Sequence, residues 1–263
     1  QKGWKTFYYI APQVWAWKEK RVEKMKRFID QLFVILPFEK DYFLSKGLSQ
    51  VHYFGHPLTD EVTSPIAALP SPGPNTKIAL LPGSRKQEIE RLLPLFLRLS
   101  QSFKDFAFII IQAPGIARSY YESFLSDFGH PKHIILTDKG AKTILPEADA
   151  ALVASGTATL ETALYGVPQL VAYKTSRITY EIARRLIKVE YISLVNLIVQ
   201  RPLIKEWIQQ ECHVENLRTE LEALLFDPKR RAEIKSGYQE LSHQLGSPGS
   251  TDRIASKMIQ LLK

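Results

Sequence analysis

Hydrophobic positions along the chain fall into short runs separated by amphipathic stretches. Residues 1–56 read as strand, helix, strand, helix, strand: TFYYIA at 6–11, then 13–29, LFVIL at 32–36, EKDYFLSKG at 39–47 and VHYFG at 51–55. Strands alternating with helices through short connections predict parallel pairing with helical crossovers. Pro57, Pro65, Pro70, Pro72 and Pro74 then crowd one stretch, a density that excludes regular structure and predicts an interdomain linker over 57–76. After it the alternation restarts. Strands are predicted at 77–81, 107–112, 133–136, 150–154 and 169–173, with helices at 86–104, 119–128, 140–148 and 158–165. YISLVNLI at 191–198 reads as a last strand or the way into a loop. From about 203 the tail reads helical, with Leu217, Leu221, Leu224 and Leu225 at helix spacing. GSPGS at 246–250 breaks it, and a last amphipathic helix follows to Lys263.

The expected fold class is therefore α/β with parallel sheets. Residues 1–56 are expected to hold a small three-stranded unit, 77–225 to form a Rossmann-like domain and 226–263 to be C-terminal helices. Doubly wound sheets commonly run 3-2-1-4-5-6, which makes strands 1 and 4 neighbours and opens a ligand crevice at their carboxyl ends. In the second domain strand 1 ends in LPGSR and strand 4 in ASGT, so the two glycine turns are expected to face one another. Gly83 and Gly156 let backbone amides approach a ligand, and the helices that follow aim unsatisfied N–H groups and positive dipole ends at it. Ser84, Ser155 and Thr157 add hydroxyls, and Arg85 adds a planar fork suited to phosphate. Glu161, one turn beyond Thr157, is placed to accept from ribose hydroxyls. Together these residues describe a nucleotide diphosphate site. Each has a plainer role, as a turn, a cap or a dipole partner; their joint placement carries the reading.

Composition narrows the partners. A chain of 263 residues with 45% hydrophobic and 24% charged positions has the make-up of a soluble globular protein. Its +8 net charge suits an anionic partner. Six basic residues between Lys18 and Arg27, with Trp15, Val22, Met25 and Ile29 along one face, read as a helix over 12–29. That helix is either a solvated surface or a contact with anionic substrate or headgroups. No nucleic-acid module surrounds it. Cys212 is the single cysteine, which excludes internal disulfides and suggests a reducing cytosolic setting. His52 and His56 are separated by a strand and Gly55, so no metal site is expected. GxxxxGK[ST], a full GxGxxG and GxSxG are all missing, which disfavours P-loop NTPases, dehydrogenases and serine hydrolases.

The runs YIAPQVWAWKEKRVEKMKRFIDQLFVILPFEKDYF, FGHPLTDEV, LLPGSRKQEIE, ALVASGTATLETALYGVPQLVAY and EYISLVNLIVQRPLIKEWIQQEC resemble the lipid-A-disaccharide synthase family from the first residues to about 225. VWAW and SLVNLI carry the specificity; the SGT…E segment is shared more widely among UDP-sugar glycosyltransferases. The resemblance implies the two-domain GT-B architecture with the N-terminal domain incomplete, residues 1–56 being the remnant of that Rossmann-like domain. It implies transfer of 2,3-diacylglucosamine from its UDP ester to 2,3-diacylglucosamine 1-phosphate, with inversion and a β-1′,6 linkage. No cofactor or catalytic metal is implied. Gly83, Ser84 and Arg85 would contact the diphosphate, Gly156, Thr157 and Glu161 would hold phosphate and ribose, and Asn196 would lie near the donor. The family's glycine-rich opening and the aspartate assigned to base catalysis have no counterpart here, so this stretch alone is expected to bind donor without turnover. The resemblance further implies a cytoplasmic protein held peripherally on inner-membrane lipids of Gram-negative bacteria, and leaves room for a homo-oligomer. Two other readings stay open: another GT-B enzyme of UDP-N-acetylglucosamine, such as a murein-precursor transferase or an epimerase, and a non-catalytic membrane-surface module.

Overall fold

Strands and helices alternate along the chain as β1 (Phe7–Tyr9), α1 (Arg21–Phe28), β2 (Gln31–Val34), α2 (Glu39–Ser45), β3 (Val51–Tyr53) and α3 (Leu58–Glu61). There follow β4 (Lys77–Leu81), α4 (Lys86–Ser100), β5 (Ala107–Ile111), α5 (Arg118–Asp127), β6 (Ile134–Thr137), α6 (Ala141–Ile144), β7 (Ala150–Ala154), α7 (Thr157–Leu164) and β8 (Gln169–Tyr173). The chain continues through α8 (Arg177–Leu186), α9 (Leu194–Val199), β9 (Glu206–Ile208), α10 (Val214–Phe226), α11 (Pro228–Leu245) and α12 (Ser250–Leu262). This is a computed structural model that describes residues 3–62, 72–73, 75–186 and 189–262.

Two units are present. One comprises Gln1–Thr63, Tyr180–Glu190 and Glu240–Lys263; the other comprises Ser64–Thr179 and Tyr191–Gln239. Each holds a wholly parallel sheet, β1-β2-β3 in the first and β6-β5-β4-β7-β8-β9 in the second. Counted in order of appearance, the second is 3-2-1-4-5-6, the doubly wound order expected from the alternation. The fold is α/β of the GT-B type.

The second unit shows why its strands read as continuous apolar runs. Parallel strands are covered on both faces, so successive residues of β4 from Ile78 to Leu81 and all five of β7 are buried. Ala79, Leu81, Ile111, Ala151 and Val153 pack one way, with Leu145, Ala148 and Val167. The alternate residues of β4, Ile78 and Leu80, point to the opposite face, and both are buried. α4 and α10 pack on each other and over β7 and β8. Ile89, Leu93 and Phe96 of α4 and Leu217, Leu221 and Leu224 of α10 are fully buried.

In the first unit Ala11, Val14, Val22, Met25, Leu32, Val34, Phe43, Leu48 and Val51 form the core. α12 is held there by Asp60. Its carboxylate accepts from the amides of Gly249 (2.6 Å), Ser250 (3.0 Å) and Thr251 (2.9 Å), and from the Thr251 hydroxyl (2.6 Å). Those are amides that a helix start leaves without intrahelical partners. Burial opposes the ionised form, but the Thr251 hydroxyl and the three amides outweigh it and hold the Asp60 carboxyl well below the usual range.

Four expectations need correction. The helix expected over 12–29 begins only at Arg21, because Lys18 takes the left-handed conformation (φ 57°) and interrupts it. Residues 191–198 are neither strand nor loop: Ser193 caps a short helix, accepting from the Asn196 amide at 3.2 Å. The sixth strand is Glu206–Ile208, inside a tail expected to be helical. Of the proline-rich stretch, Leu58–Glu61 is helical, and 63–71 with Pro74 lies outside the described residues.

Candidate functional site

β4 and β7 are adjacent, so the turns that follow them open side by side at the carboxyl end of the sheet. A cleft of about 810 Å³ lies there, wholly within the second unit, walled by Gly83, Ser84, Arg85 and Glu88 on one side and by Ser155, Gly156, Thr157, Ala158 and Glu161 on the other. The loops after β5 and β6 complete it with Gln112, Pro114, Gly115, Asp138 and Gly140. Seven residues expected at a nucleotide site thus share one cavity: Gly83, Ser84, Arg85, Ser155, Gly156, Thr157 and Glu161.

The two turns differ chemically. At the start of α7 the capping position is Gly156, which offers no side chain, and among the described residues no side-chain hydrogen bond to the Thr157 or Ala158 amide is present. Thr157 and Ala158, in its first turn, line the cleft with amides that have no intrahelical partner. Gly156 sits at φ 156°, ψ −164°, a region that essentially only glycine occupies, and a Cβ there would meet nothing within 4 Å. The space beside it is open. Ser155 is tied by its hydroxyl to the carbonyl of Ile192 (2.9 Å).

In the turn that leads into α4 the amides of Ser84 and Arg85 are already taken. Glu88 Oε2 accepts from the backbone N–H of Ser84 (2.9 Å) and Arg85 (3.3 Å). Its Oε1 lies 3.4 Å from Arg85 Nη1. A Cβ on Gly83 would fall 2.5 Å from both Cβ and Oε2 of Glu88, so glycine is required here by an internal side chain. The guanidinium of Arg85 is 81% exposed.

Asn196 is not on the cleft wall. It is 1% exposed. Its Nδ2 donates to Ile204 O (2.9 Å) and Glu206 Oε1 (2.8 Å), and its Oδ1 accepts from Ile204 N (3.0 Å). Glu206 also accepts from Ile192 N (2.9 Å), Ser193 N (3.0 Å) and the Ser193 hydroxyl (2.6 Å). The polar residues of SLVN therefore build a buried network, which meets the cleft through the carbonyl of Ile192 on Ser155.

Sequence reasoning missed Glu88, Asp138 and the 112–115 loop. Glu88 had a signal: a carboxylate three residues after the helix cap is the spacing of a capping box. Pro114-Gly115 had only the ordinary mark of a turn. Elsewhere, His52 Nε2 lies 2.7 Å from Gln31 Oε1, and His56 Nδ1 accepts from Leu58 N at 3.1 Å. Among the described residues no cluster of His, Cys, Asp or Glu could hold a metal, and no helix is long and apolar enough to cross a membrane.

A family model described as Lipid-A-disaccharide synthetase matches residues 1–259. Lipid-A-disaccharide synthase of Syntrophus aciditrophicus (strain SB) is 37% identical over 273 residues, covering 100% of this chain and 71% of the relative. The enzyme of the same name from Myxococcus xanthus (strain DK1622) is 36% identical over 267 residues, covering 97% and 68%. Among solved structures, UDP-GlcNAc 2-epimerase from Neisseria meningitidis bound to UDP-GlcNAc superimposes with a TM-score of 0.60 at 13% identity, covering 95% of this chain and 67% of that one.

Proposed function

Because the chain belongs to the lipid-A-disaccharide synthase family, a glycosyltransferase family of lipid A biosynthesis, we propose that its cleft holds the UDP of a UDP-diacylglucosamine donor. The sugar is passed to diacylglucosamine 1-phosphate. The observation that carries this reading is the uncapped, glycine-led start of α7 sharing one cavity with the exposed guanidinium of Arg85. Relatives named for this enzyme over nearly the whole chain leave an epimerase or a murein-precursor transferase without support.

The reaction is a displacement at the anomeric carbon. The acceptor's 6-hydroxyl forms the new bond as the bond from that carbon to the diphosphate breaks, and UDP leaves with added negative charge. Fixed N–H dipoles and a cation aimed at the departing phosphate stabilise that charge without reorganising. In this reading Thr157 and Ala158 supply amides, Thr157 adds its hydroxyl, Arg85 supplies the cation, and Glu161 receives the ribose. The attacking hydroxyl's proton goes to a general base that we assign to no residue of this chain. Asn196 supports the site from behind, through Glu206 and Ile192. The second unit is the donor domain and the first takes the acceptor side.

The finer proposal on location is a peripheral seat on anionic inner-membrane lipids. Its support is in the first unit, where Trp17 and Phe28 are exposed with Lys18 Nζ 4.1 Å over one ring and the Arg27 guanidinium 5.3 Å over the other. Aromatic rings beside cations suit a headgroup layer. Calorimetric titration with UDP tests the donor reading. Binding by the wild type is expected to weaken about 10- to 100-fold in Arg85→Ala, from the loss of charge-assisted contacts of about 1.5–3 kcal/mol. Equal affinity in both proteins contradicts it.

A further inference from the structure

The cleft contains a fixed negative charge of its own, on the wall where an incoming diphosphate would most simply be expected. We propose that Glu88 is a positioning residue for Arg85. It stays on the amides of Ser84 and Arg85 when the nucleotide is bound, so this wall meets phosphate through the Arg85 guanidinium alone. The inference rests on the donor reading above.

Three observations carry it. First, Glu88 holds both amides through one oxygen while its other oxygen faces Arg85 Nη1. The same carboxylate therefore fixes the backbone and one corner of the side chain of Arg85. Second, Glu88 is seated against Gly83 so closely that any side chain at 83 would collide with it. The room that glycine makes at this turn is filled by Glu88, whereas the room at Gly156 is open. Third, the remaining N–H groups of Arg85 are free to face the cavity, since its side chain is largely exposed. A phosphate on the Ser84 and Arg85 amides would have to break two hydrogen bonds and then lie beside the carboxylate it had displaced. A phosphate on the Thr157 and Ala158 amides breaks none that a side chain of the described residues makes, and it still reaches a cation whose orientation Glu88 has set.

UDP titration of Glu88→Ala and Glu88→Gln, each also in the Arg85→Ala background, decides between a positioning residue and a displaced competitor. The positioning role predicts that Glu88→Ala weakens UDP at least 10-fold. It predicts that Glu88→Gln, which keeps an acceptor for the Ser84 amide, stays within about 3-fold of wild type. The loss in Glu88→Ala should vanish when Arg85 is already alanine, a coupling that general destabilisation would not produce. If Glu88→Ala binds UDP as tightly as wild type or more tightly, the inference is overturned while the donor reading stands. Should Glu88→Ala fail to fold, Glu88→Gln decides: near-wild-type affinity supports positioning, and 10-fold tighter binding overturns it. Absence of UDP binding by the wild type overturns the donor reading, and this inference with it.

Discussion

α4 and α7 both follow a strand of the six-stranded sheet, each is preceded by a turn with a glycine of positive φ, and both turns line the same cleft. Only α4 carries a carboxylate back onto amides of the turn that leads into it, those of Ser84 and Arg85. The first unit repeats the filled arrangement, with Asp60 on the amides that open α12. Asp227 does the same for α11, accepting from Lys229 N at 2.9 Å. Helix starts attract anions whatever their source. Where the fold supplies the anion, the start is a joint; where it supplies glycine and open space beside a cavity, the start is a candidate ligand site. Motif spelling does not separate the two cases, since PGS and SGT look equally suited to phosphate.

The sharpest way to break this contrast is to add one methyl group at each glycine. Gly83→Ala combines backbone strain at φ 119° with a collision against Glu88. It should destabilise the protein by about 3–5 kcal/mol in thermal unfolding. Gly156→Ala meets no atom and should cost only the strain, about 1–3 kcal/mol, while weakening UDP. Equal destabilisation would mean that Glu88 does not fill the first turn.

Next in size is the filled joint of the first unit. Asp60→Asn should lower stability by about 1–2 kcal/mol, allowing for solvent screening of a partly exposed group. The Asp60 carboxyl is depressed in the folded state, so its contribution is present in full above the usual carboxylate range and is lost as pH falls through that range toward the folded value. His56 acts earlier in an acid titration. Burial pushes its folded value down from 6.5 to about 4, so the unfolded chain binds more protons between those values and stability declines as pH falls from about 6.5. Thermal unfolding between pH 7 and 5 should show that slope in the wild type and a shallower one in His56→Gln, where the histidines His52 and His133, also lowered by burial, remain. Smallest is Ser155→Ala, which removes the bond to Ile192. It should weaken UDP by about 0.5–1.5 kcal/mol without altering the melting temperature by more than a few degrees.

Much of the second unit could be read from residues alone, because doubly covered parallel strands leave an unambiguous mark. Four apolar residues at 78–81 and five at 150–154 are all buried. Strand order followed from counting such runs, and order placed the two glycine turns together. Legibility failed where length or partner decided the outcome. LVNLIV is as apolar as a buried strand, and only the Ser193 cap and the distant Glu206 carboxylate make it a helix. EWI is too short to leave a periodic signal, and it is held as a strand by pairing with β8. Asn196, expected near the donor, hydrogen-bonds to Ile204 and Glu206 in a buried network that residue types alone do not reveal. The occupancy of the Ser84 and Arg85 amides depends on a side-chain rotamer of Glu88, which no pattern of residue types specifies.

The central claim is that nucleotide phosphate rests on the open start of α7. Amide hydrogen exchange of Thr157 and Ala158, measured with and without saturating UDP, tests it most directly. Protection of both amides by at least about 10-fold, with the Ser84 amide unchanged because Glu88 already holds it, is the predicted result. Unchanged exchange at Thr157 and Ala158 under saturating UDP would contradict the account.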